Sequence, residues 1–160
     1  MGSHSGYGRD SLDPAYKPET AGRIALNLGH SLGHAIEAAA GFKDLLHGEA
    51  VAYGLRAAAR IGLARGATPQ DRADRIEHLL DRLDLGTAPL SLDLATVLDT
   101  LALDKKHSAG ALRWVLPTDD GWAIDADVPE DLVRQEAANV LSGRSPAVLL
   151  TGGAVTAGRS

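Results

Sequence analysis

The sequence contains no cysteine, which excludes disulfide bonds and thiolate metal ligands. Aromatic residues make up only 4% of the 160 residues, so a hydrophobic core has to be built from Leu, Ala, Val and Ile. No apolar run approaches the roughly 20 residues that a membrane-spanning helix needs. The formal charge of -5 leaves no basic excess for a nucleic-acid face. We therefore expect a cytoplasmic protein that binds neither nucleic acid nor membranes, long enough for one domain with its own core.

Local signals along the chain predict a mainly α-helical domain with one small β-hairpin. Residues 1–18 are expected to form a flexible leader, residues 19–141 the helical domain, and residues 142–160, rich in Gly, Ser and Ala, a flexible tail. Helix signals predict five helices, over about residues 19–40, 47–64, 68–85, 93–104 and 129–141. Apolar residues alternate on both sides of the turn at 118–121, which predicts the hairpin.

The third helix has the clearest start signal. Thr68 is expected as the N-cap, followed by Pro69 at the first helical position and Asp71 where a capping box places its acid. Its predicted core face consists of Ala73, Ile76, Leu79, Leu80 and Leu83.

Three of the six histidines lie close together in the sequence. His30 and His34 are four residues apart, so they share one face of a helix. His47 stands at the start of the next helix, and two antiparallel helices would bring it back beside His30. Imidazoles from separate elements are the usual Zn²⁺ ligands where thiolates are absent. From the spacing alone, a metal site and ordinary core or surface histidines are about equally favoured.

The residues around these histidines resemble the signature of dehydroquinate synthases. The resemblance is carried by Leu26 to Glu37 (LNLGHSLGHAIE), Leu46 to Ala52 (LHGEAVA), Asp104 to Lys106 (DKK), Leu112 to Leu116 (LRWVL) and Asp127 to Glu130 (DVPE). These blocks follow in the family's order between Arg9 and Leu141. The resemblance implies the helical C-terminal half of a dehydroquinate-synthase-like fold. In that family this half packs against an α/β NAD-binding domain, with the active site in the cleft between them.

The same resemblance implies roles for individual residues. His30 and His47 resemble the two zinc-binding histidines, and His34 resembles an active-site histidine that lies near the metal without ligating it. The family's substrate-contacting positions are matched by Arg23, Asn27, Lys105 and Lys106. One lysine of the pair contacts the anionic substrate, and the resemblance does not distinguish which. Without the resemblance, Arg23, Lys105 and Lys106 would be taken as ordinary solvated charges.

Two features depart from the family's pattern. Arg9 stands in place of a substrate-binding lysine, which keeps the charge but changes the geometry. The N-terminal half is absent, and with it the glycine-rich dinucleotide site and the glutamate that the family uses to complete its zinc triad. We therefore expect a chain that is inactive alone. It would act with an N-terminal NAD-binding domain or partner chain, and the complete enzyme would be a homodimer.

The implied activity is that of a carbon–oxygen lyase, 3-dehydroquinate synthase, in the shikimate pathway of aromatic amino acid biosynthesis. Its substrate would be an anionic phosphorylated keto-acid sugar. Its cofactors would be Zn²⁺, or another divalent metal such as Co²⁺, and NAD bound mainly by the absent domain. Three alternatives stay open: a related sugar phosphate cyclase for aminocyclitol-type products, a metal-dependent alcohol dehydrogenase, and a non-catalytic helical subunit of a split enzyme. The Asp104 to Lys106 block counts against the dehydrogenase, because an uncharged alcohol gives it no purpose.

An absent cofactor domain would leave its cleft-facing surface uncovered. We expect the three histidines to share one surface groove with Arg23 and Asn27 on its wall. Beside that groove we expect an exposed apolar patch that promotes self-association, formed by Leu26, Leu32 and Val51. With two imidazoles and no third ligand, the chain alone should bind Zn²⁺ weakly.

Overall fold

The structure is a computed structural model that describes residues 28–41, 45–107, 110 and 112–143. Over these residues the elements are α1 (His30–Ala39), α2 (His47–Arg65), α3 (Gln70–Arg82), α4 (Leu94–His107), β1 (Trp114–Pro117), β2 (Trp122–Asp125) and α5 (Glu130–Leu141). The predicted mainly α-helical class with one hairpin is confirmed. The predicted leader and the tail beyond Gly143 lie outside the described residues. Within the described part, no helix is both long and apolar enough to cross a membrane.

The start of α1 differs from the prediction. The helix begins at His30, because Gly29 adopts a φ of 79°, a left-handed conformation that a right-handed helix cannot contain. A single helix that continues through Gly29 is therefore wrong, and the stretch before residue 28 lies outside the described residues. Gly33 lies inside α1, against the backbone of Ala50 and Val51 in α2.

Helices α1 and α2 cross in close backbone contact. A Cβ atom at Gly54 would lie 1.9 Å from the carbonyl oxygen of Gly29, closer than any two such atoms can approach. Only a glycine fits at this position. Since Gly29 lies against Gly54 while Gly33 lies against Ala50, the two helices run antiparallel, as the sequence predicts.

Helix α2 is the centre of the core and contacts α1, α3, α5 and β1. Its small side chains let the neighbouring elements approach closely, and its fully buried residues include Ala57, Ala58 and Ile61. Leu32 of α1 also belongs to this core and is 1% exposed. The apolar patch predicted beside the histidines is therefore wrong at Leu32, whereas Val51 is partly buried and Leu26 lies outside the described residues.

The predicted N-cap of α3 is also wrong. The helix begins at Gln70 after Pro69, and no side chain caps its first turn. Thr68 is buried, and its hydroxyl donates a hydrogen bond to the carbonyl oxygen of Pro117 at the end of β1. This threonine therefore ties the α2–α3 connection to the hairpin.

The buried face of α3 carries an acidic residue. The buried residues of this helix are Ala73, Glu77 and Leu80. Glu77 accepts hydrogen bonds from two buried arginines of α2, from Arg56 Nη1 at 3.2 Å and from Arg60 Nη2 at 2.9 Å. Burial raises the pKa of Glu77, and the two guanidinium groups oppose that rise. Because the ion pairs face α2, Leu79 and Leu83 turn outward, each 57% exposed, and the predicted core face is wrong there.

The hairpin and the last two helices agree with the prediction in kind. Strands β1 and β2 pair antiparallel, with Val115 opposite Ile124. Successive residues of a strand point to opposite faces. Accordingly Trp114 and Leu116 belong to the core, while Val115 and Ile124 share the other face. Helix α5 begins after Pro129 as predicted, and α4 continues to His107, beyond the predicted end at residue 104.

Candidate functional site

The imidazole rings of His30 and His47 lie side by side. Their centroids are 5.6 Å apart and their planes are tilted by 57°. Each is the first residue of its helix, so the antiparallel α1–α2 pair supplies one ring from each element. Two imidazoles on one tetrahedral zinc, with Zn–N bonds of about 2.0–2.1 Å, have centroids roughly 5 Å apart. The observed separation is therefore compatible with two ligands of one metal ion.

The carboxylate of Glu37 contacts the imidazole ring of His47. Its Oε1 lies 3.0 Å from Nδ1 of His47, across the α1–α2 interface. The glutamate side chain is 15% exposed, whereas that of His47 is 63% exposed. A carboxylate on one ring nitrogen fixes the tautomer and leaves Nε2 as the lone-pair donor toward a metal. Glu37 stands in the family signature, yet the sequence gives it no role, because only the packing of α1 on α2 creates this contact.

The ring of His30 has an unused polar atom. Its Nδ1 is buried and has no hydrogen-bond partner among the described residues. A buried polar group without a partner costs about 1–3 kcal/mol, which a ligand at that atom would recover. Within the described part of the chain, no group of three His, Cys, Asp or Glu side chains could hold a metal ion. The donor set found there is thus two imidazoles with one orienting carboxylate, one protein ligand short of a catalytic zinc site.

His30 and His34 also line an open groove of about 310 Å³ between α1, the end of α4 and the hairpin. We call it the histidine groove, and its lining residues are His30, Ser31, His34, Asp104, Arg113, Val115 and Ile124. The paired residues Val115 and Ile124 form an apolar wall, while the other lining side chains are polar or charged. The predicted wall residues Arg23 and Asn27 lie outside the described residues.

The two candidate lysines stand in the last turn of α4. Lys105 Nζ lies 3.2 Å from Oε1 of Glu130 at the start of α5. Lys105 lines a different opening of about 530 Å³ between α4, the hairpin and α5, which also contains Trp114 and Arg134. We call this opening the lysine groove. Lys106 is exposed in the same helical turn.

Comparison with known proteins supports the resemblance read from the sequence. Residues 15–107, more than half of the chain, match the family described as 3-dehydroquinate synthase C-terminal. The chain is 41% identical over 115 residues to 3-dehydroquinate synthase of Nostoc punctiforme, covering 71% of this chain and 32% of that protein. It is 43% identical over 134 residues to the Xylella fastidiosa enzyme, covering 79% of this chain and 35% of that protein. The chain spans about a third of the length of these relatives.

A solved structure shows the same fold. It is a 2-epi-5-epi-valiolone synthase from Streptomyces hygroscopicus subsp. jinggangensis with NAD⁺ and Zn²⁺ bound. The TM-score is 0.60 at 25% sequence identity, over 72% of this chain and 31% of that one. On the family match and these relatives together, the chain belongs to the 3-dehydroquinate synthase C-terminal family.

Proposed function

We propose that this chain is the metal- and substrate-binding C-terminal domain of a 3-dehydroquinate synthase. The observation that carries the proposal is the pair of rings of His30 and His47, 5.6 Å apart, with Glu37 on Nδ1 of His47. The synthase relatives support the reaction, and the zinc- and NAD-bound structural relative supports the two cofactors. In the proposal His30 and His47 hold Zn²⁺, and a ligand from outside the described residues completes the set.

The remaining roles follow from what each side chain can do chemically. When bound, the metal supplies Lewis acidity that lowers the pKa of a substrate hydroxyl. His34 lies one helical turn from His30 in the histidine groove, where an imidazole can accept and return a proton near neutral pH. Arg23 and Asn27 keep the substrate-contacting roles that the resemblance implies. Of the lysine pair we assign the anion contact to Lys106, because Lys105 points to Glu130 and lines the lysine groove, away from the histidines.

The proposal requires a second protein unit. An NAD-binding domain or partner chain would supply the dinucleotide site, and the complete enzyme would form a homodimer. Leu46, which directly precedes His47, is 72% exposed. In the proposal the second unit covers this side chain. We also propose that the reaction takes place in the cytoplasm.

A second candidate function is favoured by the structural relative. The relative is a 2-epi-5-epi-valiolone synthase by name. A related cyclase that makes an aminocyclitol-type precursor would use the same metal site on a different sugar phosphate. The identity of the carbocyclic product separates this candidate from dehydroquinate synthesis. A non-catalytic subunit would yield neither product.

Reconstitution tests the proposal. The chain is mixed with the N-terminal NAD-binding domain of a relative, NAD and Zn²⁺, and phosphate release and 3-dehydroquinate are measured from the phosphorylated keto acid. We expect turnover only in the mixture. Loss of a group that only orients a metal ligand lowers activity by up to about 100-fold. Because His47→Ala removes a metal ligand itself, it should lower turnover by more than about 100-fold. The matched control is His78→Ala, at an exposed histidine of α3, which should leave turnover unchanged. Turnover that survives His47→Ala would contradict the metal role.

A further inference from the structure

The hairpin brings one cation into the histidine groove that the sequence did not single out. Arg113 lies directly before β1, and residues 113 and 115 share the face of the strand opposite Trp114. This face also carries Ile124, the partner of Val115 on β2. Because Trp114 and Leu116 are anchored in the core, the hairpin cannot rotate to turn Arg113 away. Strand geometry thus directs the arginine toward His30 and His34.

The end of α4 divides its charges between two grooves. Asp104 lines the histidine groove, whereas Lys105 lines the lysine groove and pairs with Glu130. Successive residues of a helix are turned by about 100°, so neighbouring side chains face different directions. Among the described side chains that line the histidine groove, the permanent positive charge therefore belongs to Arg113.

We propose that Arg113 binds an oxyanion of the substrate, a phosphate or carboxylate group, inside the histidine groove. This inference rests on the proposed function and adds to it a substrate-binding residue on the hairpin. A guanidinium group offers a planar fork of N–H donors that matches two oxyanion oxygens. Ser31 and His34 line the same groove and can donate further hydrogen bonds. The carboxylate of Asp104 repels an anion, so the oxyanion lies toward the α1 side of the groove.

The wall of the groove strengthens this interaction. Val115 is buried and Ile124 is half-buried, and together they give Arg113 an apolar neighbour surface. Charge pairs are stronger beside a low-dielectric wall than in open water. The lysine groove differs, because three carboxylates, Asp99, Glu130 and Asp131, line it and oppose anion binding.

Phosphate titration of the metal-free chain tests the inference. Inorganic phosphate, and acetate in a parallel arm, are titrated while the imidazole resonances of His30 and His34 are followed by NMR. We expect a saturable shift of the His34 resonance. Arg113→Ala should weaken phosphate binding at least about tenfold, as expected for loss of a hydrogen bond to a charged group. Arg113→Lys should restore part of that loss, since it keeps the charge without the fork. Arg113 is exposed, so both variants should fold, which circular dichroism checks.

A variant in the lysine groove serves as the control. Arg134→Ala removes an exposed arginine of α5 and should bind phosphate like the wild type. An unshifted His34 resonance, or Arg113→Ala that binds like the wild type, would overturn the inference. A loss of phosphate affinity in Arg134→Ala as large as that in Arg113→Ala would also overturn it. If phosphate binds more tightly than acetate, Arg113 is assigned to the phosphoryl group of the substrate. If acetate binds more tightly, Arg113 is assigned to the carboxylate.

The titration uses neither metal nor a second domain, so its outcome separates from that of the reconstitution. Phosphate binding that depends on Arg113, together with a reconstituted mixture that shows no cyclase activity, would refute the proposed function and retain the anion-binding role of Arg113. Cyclase activity that depends on His47, together with phosphate binding that does not depend on Arg113, would support the proposed function and refute the role of Arg113.

Discussion

Replacing Gly54 by alanine tests the helix crossing on which the histidine pair rests. The new Cβ would lie 1.9 Å from the carbonyl oxygen of Gly29, 2.8 Å from its carbonyl carbon and 2.9 Å from the amide nitrogen of Gly33. All three are backbone atoms, so no side chain can rotate out of the way. Ordinary contact begins at 3.4 Å, so α1 and α2 must separate locally by roughly 1.5 Å.

The expected loss of stability combines two opposing effects. Overpacking a close contact costs about 1–3 kcal/mol, and a backbone clash belongs at the upper end. Alanine returns up to about 1 kcal/mol through its higher helix propensity. We therefore expect Gly54→Ala to lower the free energy of unfolding by about 2 kcal/mol. The matched control is Gly48→Ala in the same helix, where a Cβ meets nothing within 4 Å, so only the favourable propensity effect remains.

Urea denaturation followed by circular dichroism measures both variants, and a zinc titration follows on each. Separating α1 from α2 moves His30 away from His47, so Gly54→Ala should also bind zinc more weakly than Gly48→Ala. If the two variants were equally stable, the backbone contact between Gly29 and Gly54 would not exist as described. If Gly54→Ala lowered the stability but not the zinc affinity, the helix crossing would not control the position of the histidine pair.

Three further predictions test separate features, one of them with a control variant. Glu77→Ala leaves the buried guanidinium group of Arg60 without its carboxylate and removes one of the two carboxylates that pair with Arg56, so it should cost about 3–5 kcal/mol in urea denaturation. Glu130→Ala removes an exposed ion pair and should cost less than about 0.5 kcal/mol, and equal losses would count against the buried network. Burial raises the pKa of Tyr53 above its ordinary 10.0, and the negative charge of Glu49 adds to this rise. The folded state then holds this proton more tightly than the unfolded chain, so stability should fall as the pH rises above about 10. Tyr53→Phe should make that fall shallower, and an unchanged slope would reject this cause. Glu37→Gln should weaken zinc binding about 10–100-fold in a chelator competition, whereas an unchanged affinity would mean that Glu37 does not orient His47.

The sequence by itself determined the element types and the meeting of His30 with His47. Helix and hairpin signals depend on neighbours in the chain, such as Pro129 before α5 and the turn between the strands, and the observed elements follow them. The family signature identified the histidine pair, and an antiparallel α1–α2 connection was enough to bring the two rings together. The start of α1 was misjudged because helix propensity does not reveal which glycine adopts a left-handed φ, here Gly29.

Tertiary structure alone decided how α3 is rotated about its axis against α2. The apolar stripe of α3 predicted Leu79 inside, but the ion pairs of Glu77 with the arginines of α2 fixed the rotation of the helix and turned that leucine outward. The same holds around the histidine groove. Lys105 turns to Glu130, and Arg113 lines the same groove as His30 and His34 because the packing of β1 on α2 fixes the position of the hairpin. These outcomes depend on partners far apart in the sequence, whose competing packing and charge energies no local pattern contains.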